Sequence, residues 1–500
     1  MQLKELIGDL TLRVVQGDSE TTINDICDDS RHIGEHGDRC VFVARSGVGQ
    51  DGREFIHDAI SKGVVAVITD KLPPLANAPD LVWVVARSID QTLAGALAQR
   101  LFDYPGRKLK LLAVTGTNGK TTTCLIAAYL LNQAGLRCGT VGTVYVDDGS
   151  HKQPAQLTTP GAVELARLLA RMVHNGCQAA TLEASSHALD QGRLNIPDID
   201  AAVFTNLTGD HLDYHKTMQQ YAAVKAKLFN RLNSHAWAII NRDDAYASHM
   251  VQDCPAQLLH YAINPSPTPD QHCHAQITQL ASDHSWARFN GPWGSFALRL
   301  AMVGRHNIAN ALGAIAAVHT IVPMTFQVCR SLEHMPPVPG RLQPVDAPSH
   351  DGPTVLVDYA HTHDALHNVL GALRPVTKGR LIVLFGCGGD RDTTKRSKMA
   401  TVACQWADHV IVTSDNPRCE DPDVIITEIL AGVPQKVHVE VEPDRAKAIR
   451  SAIRQASDDD IVLLAGKGHE PYQEIHHVRH PFDDRKQAVS ALIERSRCTR

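Results

Sequence analysis

Short apolar runs recur along the chain, each bounded by glycine, proline or charge and followed by a longer amphipathic stretch. Val41 to Ala44, Val64 to Asp70 and Val82 to Ala86 read as strands, with helical segments between them. A helix from Ile89 to Phe102 stops before Pro105-Gly106. Leu109 to Val114 reads as a buried strand, and Thr121 to Ala134 as a helix halted by Gly135. Gly139 to Val144, Ala179 to Glu183, Ala201 to Thr205 and Ala236 to Asn241 continue the strand series. Helices are expected over Val163 to Asn175 and Met218 to Leu232. Beyond Pro339-Gly340, Val355 to Val357, Leu381 to Phe385, Val410 to Thr413, Lys436 to Val441 and Ile461 to Ala465 alternate with helical stretches.

This alternation predicts α/β architecture with mostly parallel sheets, doubly wound in the last unit. The 500 residues suggest about three domains at ~150 residues each. The turn-rich points divide the chain into 1–106, 107–340 and 341–500. In such sheets ligands bind at the carboxyl ends of strands, so the residues that follow each apolar run are the ones to inspect.

Composition narrows the class. Basic residues number 49 and acidic residues 54, a net charge of −5, which argues against general nucleic-acid affinity. The twelve cysteines are scattered without a CxxC pair, and the start has no signal-type apolar core. Both point to free thiols and a cytoplasmic location. No apolar run approaches the ~18 residues of a membrane span. His272-Cys273-His274 is the tightest metal-like cluster, but its ligands are too close in sequence to close a site alone. It is read as exposed loop, continuous with Asn264 to Gln271.

Between the strand ending at Val114 and the following helix lies Thr115-Gly116-Thr117-Asn118-Gly119-Lys120-Thr121-Thr122. Such a loop aims backbone N–H groups and a helix N-terminus at phosphate; Lys120 adds charge and Thr121 a hydroxyl for Mg²⁺. Val114 stands where the commonest nucleotide loop has its first glycine. Glu183 ends a strand in the same unit and suits a Mg²⁺ ligand, the alternative being a helix cap. Asn206 to His215 holds Asp210, His211, Asp213 and His215; it could bind metal or substrate, or cap a helix. Lys225 lies on the apolar face of its helix, with Tyr221 and Phe229 four residues away on either side. By pattern alone it snorkels to solvent.

Four loops of the last unit also follow strands: Asp358 to Thr362, Gly386 to Asp392, Asp415 to Arg418 and Gly466 to Glu470. Arg391, Arg418, Lys467 and Glu470 thus converge on one rim. That set suits a zwitterion, with guanidinium for carboxylate and Glu for ammonium. Arg341, at the unit boundary, could reach phosphates across a cleft.

Taken together, the Thr115–Thr121 loop, Glu-Ala-Ser-Ser-His at 183–187, Asp-His-Leu-Asp-Tyr-His at 210–215, His306-Asn307 with Asn310, and Asp-Tyr-Ala-His-Thr at 358–362 resemble the Mur ligases. These are ATP-dependent amide-forming enzymes of peptidoglycan synthesis. The resemblance spans the chain. It implies a small α/β N-terminal UDP-binding domain, a central P-loop ATPase-like domain and a C-terminal Rossmann-like domain. Asp415-Asn416-Pro417-Arg418 is similar to the family's diaminopimelate-recognition motif. The implied partners are ATP, UDP-N-acetylmuramoyl-L-alanyl-D-glutamate and meso-2,6-diaminopimelate, with Mg²⁺ as cofactor. Neither nucleic acid nor membrane insertion is implied, and a monomer is expected.

Carried over residue by residue, Gly116 to Thr122 would hold the ATP phosphates, and Asn307, Arg341 and Asp358 would contact the nucleotide. Asp28 and Ser30 resemble the uridine-binding element, helped by the loop at Gly49 and Gln50. Thr158, Thr159, Ser185, Gln191 and Arg193 resemble the central substrate positions. Arg391, Asp415, Asn416, Pro417, Arg418, Gly466 and Glu470 resemble the amino-acid site. Thr121, Glu183, His211 and Lys225 would hold metal, with Lys120, Glu183, His211 and Lys225 serving catalysis. Lys225 aligns with the family's carbamylated lysine (N6-carboxylysine), which replaces the snorkelling expectation. Leu157 and Pro160 depart from some relatives, which have Asn and Gly there.

Overall fold

The computed structural model describes residues 1–35, 37–47, 50–71, 81–194, 196, 198–263, 272–346 and 352–498. Among these, three large sheets follow one another along the chain, with a separate two-stranded ribbon of Tyr472–Ile475 and Val478–Pro481. The first has five strands in the order Leu12–Gln16, Val82–Ala86, Ala66–Thr69, Cys40–Val43 and Asp25–Cys27. Its first pair is antiparallel and the rest are parallel.

The central sheet has eleven strands, with Lys110–Thr115 between Ala201–Phe204 and Ala179–Glu183. Seven neighbouring strands, from His272–Leu280 across to Cys138–Val141, run parallel. Antiparallel ribbons extend both ends: Ser285–Gly291 with Gly294–Leu300 on one side, and Tyr145–Asp147 with Lys152–Pro154 on the other. The last sheet runs Gln343–Pro344, Thr354–Asp358, Ile461–Ala465, Leu381–Phe385, His409–Val412 and Glu440–Val441.

The apolar runs are continuous because both faces of each sheet are covered. Alternate residues of one strand enter opposite cores: Leu112 and Val114 pack on one face, Leu111 and Ala113 on the other. Leu381, Val383 and Phe385 are likewise divided from Ile382 and Leu384. The first unit docks on the second through the helix Ala162–His174. There Arg167 Nη1 meets Asp25 Oδ1 at 2.6 Å and Arg167 Nη2 donates to the Ile26 carbonyl at 2.7 Å.

Two expectations change. His272-Cys273-His274 is not exposed loop; it begins the strand His272–Leu280, and Cys273 is fully buried. Pairing with Gln257–Ile263 supplies the partner that local composition does not reveal. The neighbouring Asn264 to Gln271 lies outside the described residues. The strand expected over Lys436 to Val441 is reduced to Glu440–Val441 at the sheet edge, where only one neighbour is available. No helix among the described residues is long and apolar enough to cross a membrane.

Candidate active site

The phosphate loop leaves Lys110–Thr115 and enters the helix Lys120–Gln133 through Gly119, which has φ +84°. A side chain on Gly119 would collide with Asn310, and one on Gly116 (φ +148°) with Thr205. Lys120 folds back over the loop, donating to the carbonyls of Gly116 (2.9 Å) and Thr117 (2.8 Å). Burial pushes its amine below the ordinary lysine range.

Glu183 sits at the end of its strand and is 1% exposed. It accepts hydrogen bonds from the Thr121 hydroxyl (3.0 Å), the Thr143 amide (2.7 Å) and the Thr143 hydroxyl (2.9 Å). Arg341 reaches across from the unit boundary and donates to Thr121 Oγ1 at 3.2 Å. Thr121, Glu183 and Arg341 are therefore contiguous.

Lys225 does not snorkel. It is 1% exposed, with Nζ 2.9 Å from the Gly116 carbonyl oxygen and 4.5 Å from the Tyr221 ring centre. Burial, and Lys120 beside it, push its amine well below the lysine range. Lys227, two positions on, is the lysine that reaches outward, pairing with Asp190 at 2.8 Å. Pattern reasoning failed for Lys225 because the loop that covers it comes from a distant strand end.

His211 adopts a left-handed backbone, φ +54°, ahead of the short helix Leu212–His215. Its ring packs edge-on to His187 and lies 3.4 Å from Asp210. Burial works to raise the Asp210 pKa, but His211, His361 and Lys120 outweigh it and hold the carboxyl below its usual range. His215 is buried beneath, its imidazole pushed down to about 4 by burial and by His187.

Two hollows use alternate residues of the Asp358–Thr362 segment as a wall. One, of about 660 Å³, is lined by Asn118, Gly119, Thr122, Asn307, Arg341 and Asp358, which joins the expected nucleotide contacts to the loop. Burial raises the Asp358 pKa, although Arg341 and the amides of Leu342 and Ala360 oppose it. The other, of about 930 Å³, spans the central and last sheets. Thr158, Thr159, Ser185, Arg193, Asp210 and His211 line its central-sheet side. Arg391, Asp415, Asn416, Arg418, Gly466 and Glu470 line its far side.

Arg418 is fixed on three sides. Its backbone takes φ +50°, its amide donates to the Glu474 carbonyl at 3.0 Å, and its Nη1 donates to the Gly389 carbonyl at 2.7 Å. A non-glycine residue held in that region is a sign of over-determined geometry. Glu474, Lys395 and Arg479 also line the cleft, and only the tertiary fold brings them in.

Several expected residues stand elsewhere. Lys467 is not on the rim: it is fully buried beneath the cleft. Pro417 is buried in the loop, and Gln191 pairs with Arg193 at 2.6 Å. Ser30 is buried, and Asp28 pairs with Arg45 at 2.6 Å, both outside the cleft lining. Gly49 lies outside the described residues.

Residues 114–318 match the family model described as Mur ligase middle domain, and 340–468 match Mur ligase, glutamate ligase domain. A Synechococcus elongatus protein named UDP-N-acetylmuramoyl-L-alanyl-D-glutamate--2,6-diaminopimelate ligase is 44% identical, over 99% of both chains. The chain belongs to the Mur ligase family.

A Xanthomonas campestris relative of the same name is 40% identical, over 99% of this chain and 98% of its own. A solved structure so named is 33% identical with TM-score 0.68, covering 99% of each chain. A Thermotoga maritima MurF ligase in complex with ADP, 17% identical, has TM-score 0.64 over 95% of this chain and 99% of its own, and shares the fold. The Mur ligase models cover the lining of the smaller hollow and most of the larger one, whose Glu470, Glu474 and Arg479 lie beyond residue 468.

Proposed function

We propose that this Mur ligase joins meso-2,6-diaminopimelate to UDP-N-acetylmuramoyl-L-alanyl-D-glutamate with cleavage of ATP, the ligation its relatives are named for. The observation that carries the reading is Arg418, locked in a cleft that also holds Asp210 and His211. A nucleotide hollow on one side and a zwitterion pocket on the other is what a carboxylate-activating ligase needs. A hydrolytic switch needs only the first.

Carboxylate is a poor electrophile at neutral pH, so it must be activated. An oxygen of the D-glutamate γ-carboxylate takes the γ-phosphoryl group of ATP, and ADP leaves. The diaminopimelate amine then adds to the carbonyl carbon and loses a proton, and phosphate departs with the C–O electron pair. Positioning and charge neutralisation supply the catalysis.

Gly116 to Thr122 hold the ATP phosphates, Lys120 and Arg341 neutralise them, and Asn307 and Asp358 hold the nucleoside. The Thr121 hydroxyl and Glu183 carboxylate, hard oxygen donors beside the loop, fit Mg²⁺. With His211 and Lys225 they would hold it, and the ion would offset phosphate charge. The Lys225 amine adds CO₂, forming an N–C bond and releasing one proton, which turns a repelling cation into an anionic ligand.

Asp28, Ser30, Thr158, Thr159, Ser185, Gln191 and Arg193 serve the UDP-linked substrate. Arg391, Asp415, Asn416, Pro417, Arg418, Gly466 and Glu470 serve the amino acid. The enzyme acts as a monomer in the cytoplasm, in precursor synthesis for cell growth and division.

Mass spectrometry of products from ATP, the UDP-linked dipeptide and candidate amino acids tests the reading. The expected product carries one diaminopimelate in amide linkage, with ADP released only when all three substrates are present. Preference for D-alanyl-D-alanine or glutamate, or ATP hydrolysis with no acceptor, overturns it.

A further inference from the structure

Lys467 is fully buried and absent from the cleft wall, yet it touches the acceptor-pocket residues on either side of it. Its Nζ donates to Asn416 Oδ1 at 2.9 Å and Asp415 Oδ1 at 3.3 Å, and lies 3.6 Å from Glu470 Oε2. Gly466 and Gly468 flank it with φ +111° and +54°, so the backbone can turn the lysine inward while Gly466 and Glu470 face the cleft.

The contacts decide which way the Asn416 amide points. Oδ1 accepts from both Lys467 Nζ and the Glu474 amide (3.0 Å), which makes that end an acceptor. Nδ2 is then committed to Glu470 Oε2 at 2.9 Å. Gln473 Nε2 adds a bond to the Asp415 carbonyl at 2.7 Å. Residues 415–416, 466–470 and 472–474 are thus tied together around one ammonium.

We propose that Lys467 is the positioning residue of the acceptor pocket: it fixes the Asn416 amide and holds Glu470 where the amino acid's ammonium is received. The proposal rests on the functional reading above. Electrostatics agree with it. Burial and Asp415 push the Glu470 pKa up, and Lys467, the Asn416 hydrogen bond and Arg418 oppose them. Tyr359 and Tyr472 also face this group of charges, and Arg445 lies behind it. Without Lys467, only Arg418 and Arg445 would offset the two carboxylates, and Glu470 would take up a proton more readily. A protonated Glu470 has no charge for an ammonium.

The test is steady-state kinetics of Lys467→Met with each substrate varied in turn. We expect KM for diaminopimelate to rise about tenfold or more, the effect of losing hydrogen bonds to charged groups. KM for ATP and for the UDP-linked dipeptide should stay within about twofold, because Lys467 bonds to acceptor-side residues and not to the phosphate loop or the central-sheet side of the cleft. The acceptor KM of the variant should also climb more steeply than that of wild type as pH is lowered. A merely structural lysine would move all three KM values or none, and either result overturns the proposal.

If Lys467→Met melts well below wild type, Lys467→Met/Asp415→Asn removes the stranded carboxylate and is compared with Asp415→Asn alone. A higher acceptor KM in the double variant supports the proposal, and equal values overturn it. Wild-type protein that forms no product with diaminopimelate overturns the functional reading and the proposal together. Wild-type activity with an unchanged acceptor KM in the variants overturns the proposal alone.

Discussion

The Lys225 ammonium nitrogen lies 2.9 Å from the Gly116 carbonyl oxygen, which also accepts from Lys120, although 109 residues separate lysine and glycine. Two amines therefore crowd one buried acceptor. Repulsion and desolvation both favour a neutral Lys225, and a neutral amine is what reacts with CO₂.

Lys225→Ala is accordingly expected to lose about 10²–10³-fold in kcat, the size of effect seen when one electrostatic stabiliser is removed. Carbon-13 NMR of wild-type protein equilibrated with labelled CO₂ should show a carbamate resonance that the variant lacks. Near-normal turnover of the variant would return Lys225 to a packing role.

The role proposed for Arg418 is acceptor choice. Lysine lacks the distal carboxylate and would leave the guanidinium with Glu474 Oε2, 3.7 Å away, as its anionic neighbour. Loss of a charged hydrogen-bonded pair is worth ~1.5–3 kcal/mol, so Arg418→Ala should lower kcat/KM for diaminopimelate by about 10- to 150-fold. Lysine should change little. Competition assays with both amino acids measure the ratio, and an unchanged ratio would falsify the assignment.

Glu470 should impose an acid limb. Burial and Asp415 raise its pKa, so it protonates at higher pH than an ordinary glutamate near ~4.3. On the proposed reading, the charged form receives the acceptor's ammonium. Therefore kcat/KM for diaminopimelate falls as pH is lowered through that raised value and is restored as pH rises. Glu470→Gln should abolish this limb and leave a uniformly weakened acceptor.

Arg167 and Asp25 join the first two units as a buried pair, 9% and 2% exposed. Arg167→Met strands the carboxylate, which costs about 3–5 kcal/mol for a buried pair broken on one side. Limited proteolysis should release the first unit sooner in this variant. Arg167→Met/Asp25→Asn should recover most of the resistance.

Much of the frame was readable along the chain. Leu381–Phe385, Ile461–Ala465, Ala179–Glu183 and Val82–Ala86 coincide with the expected strands, because two-sided burial demands unbroken apolar runs. The antiparallel strands Ser285–Gly291 and Gly294–Leu300 escaped that reading; polar residues interrupt both, since part of each strand is exposed. The His272–His274 segment misled for a related reason: strand pairing, not local composition, draws it into the sheet.

The glycine- and hydroxyl-rich loop at 115–121, the carboxylate at Glu183 and the Asp415–Arg418 motif were legible because their chemistry is local: each needs a strand end and a few neighbouring residues. Lys225 and Lys467 were not. By pattern alone Lys225, on the apolar face of the helix Met218–Asn230, reads as snorkelling and Lys467 as part of the rim, and both are buried by loops from elsewhere in the fold. Sequence by itself determined which groups could bind phosphate, metal and a zwitterion, since residue type and spacing set donor chemistry. Tertiary structure alone decided which lysines lose their water. That loss shifts an amine's proton equilibrium and frees its charge to organise neighbours, and it depends on contacts between segments far apart in the chain.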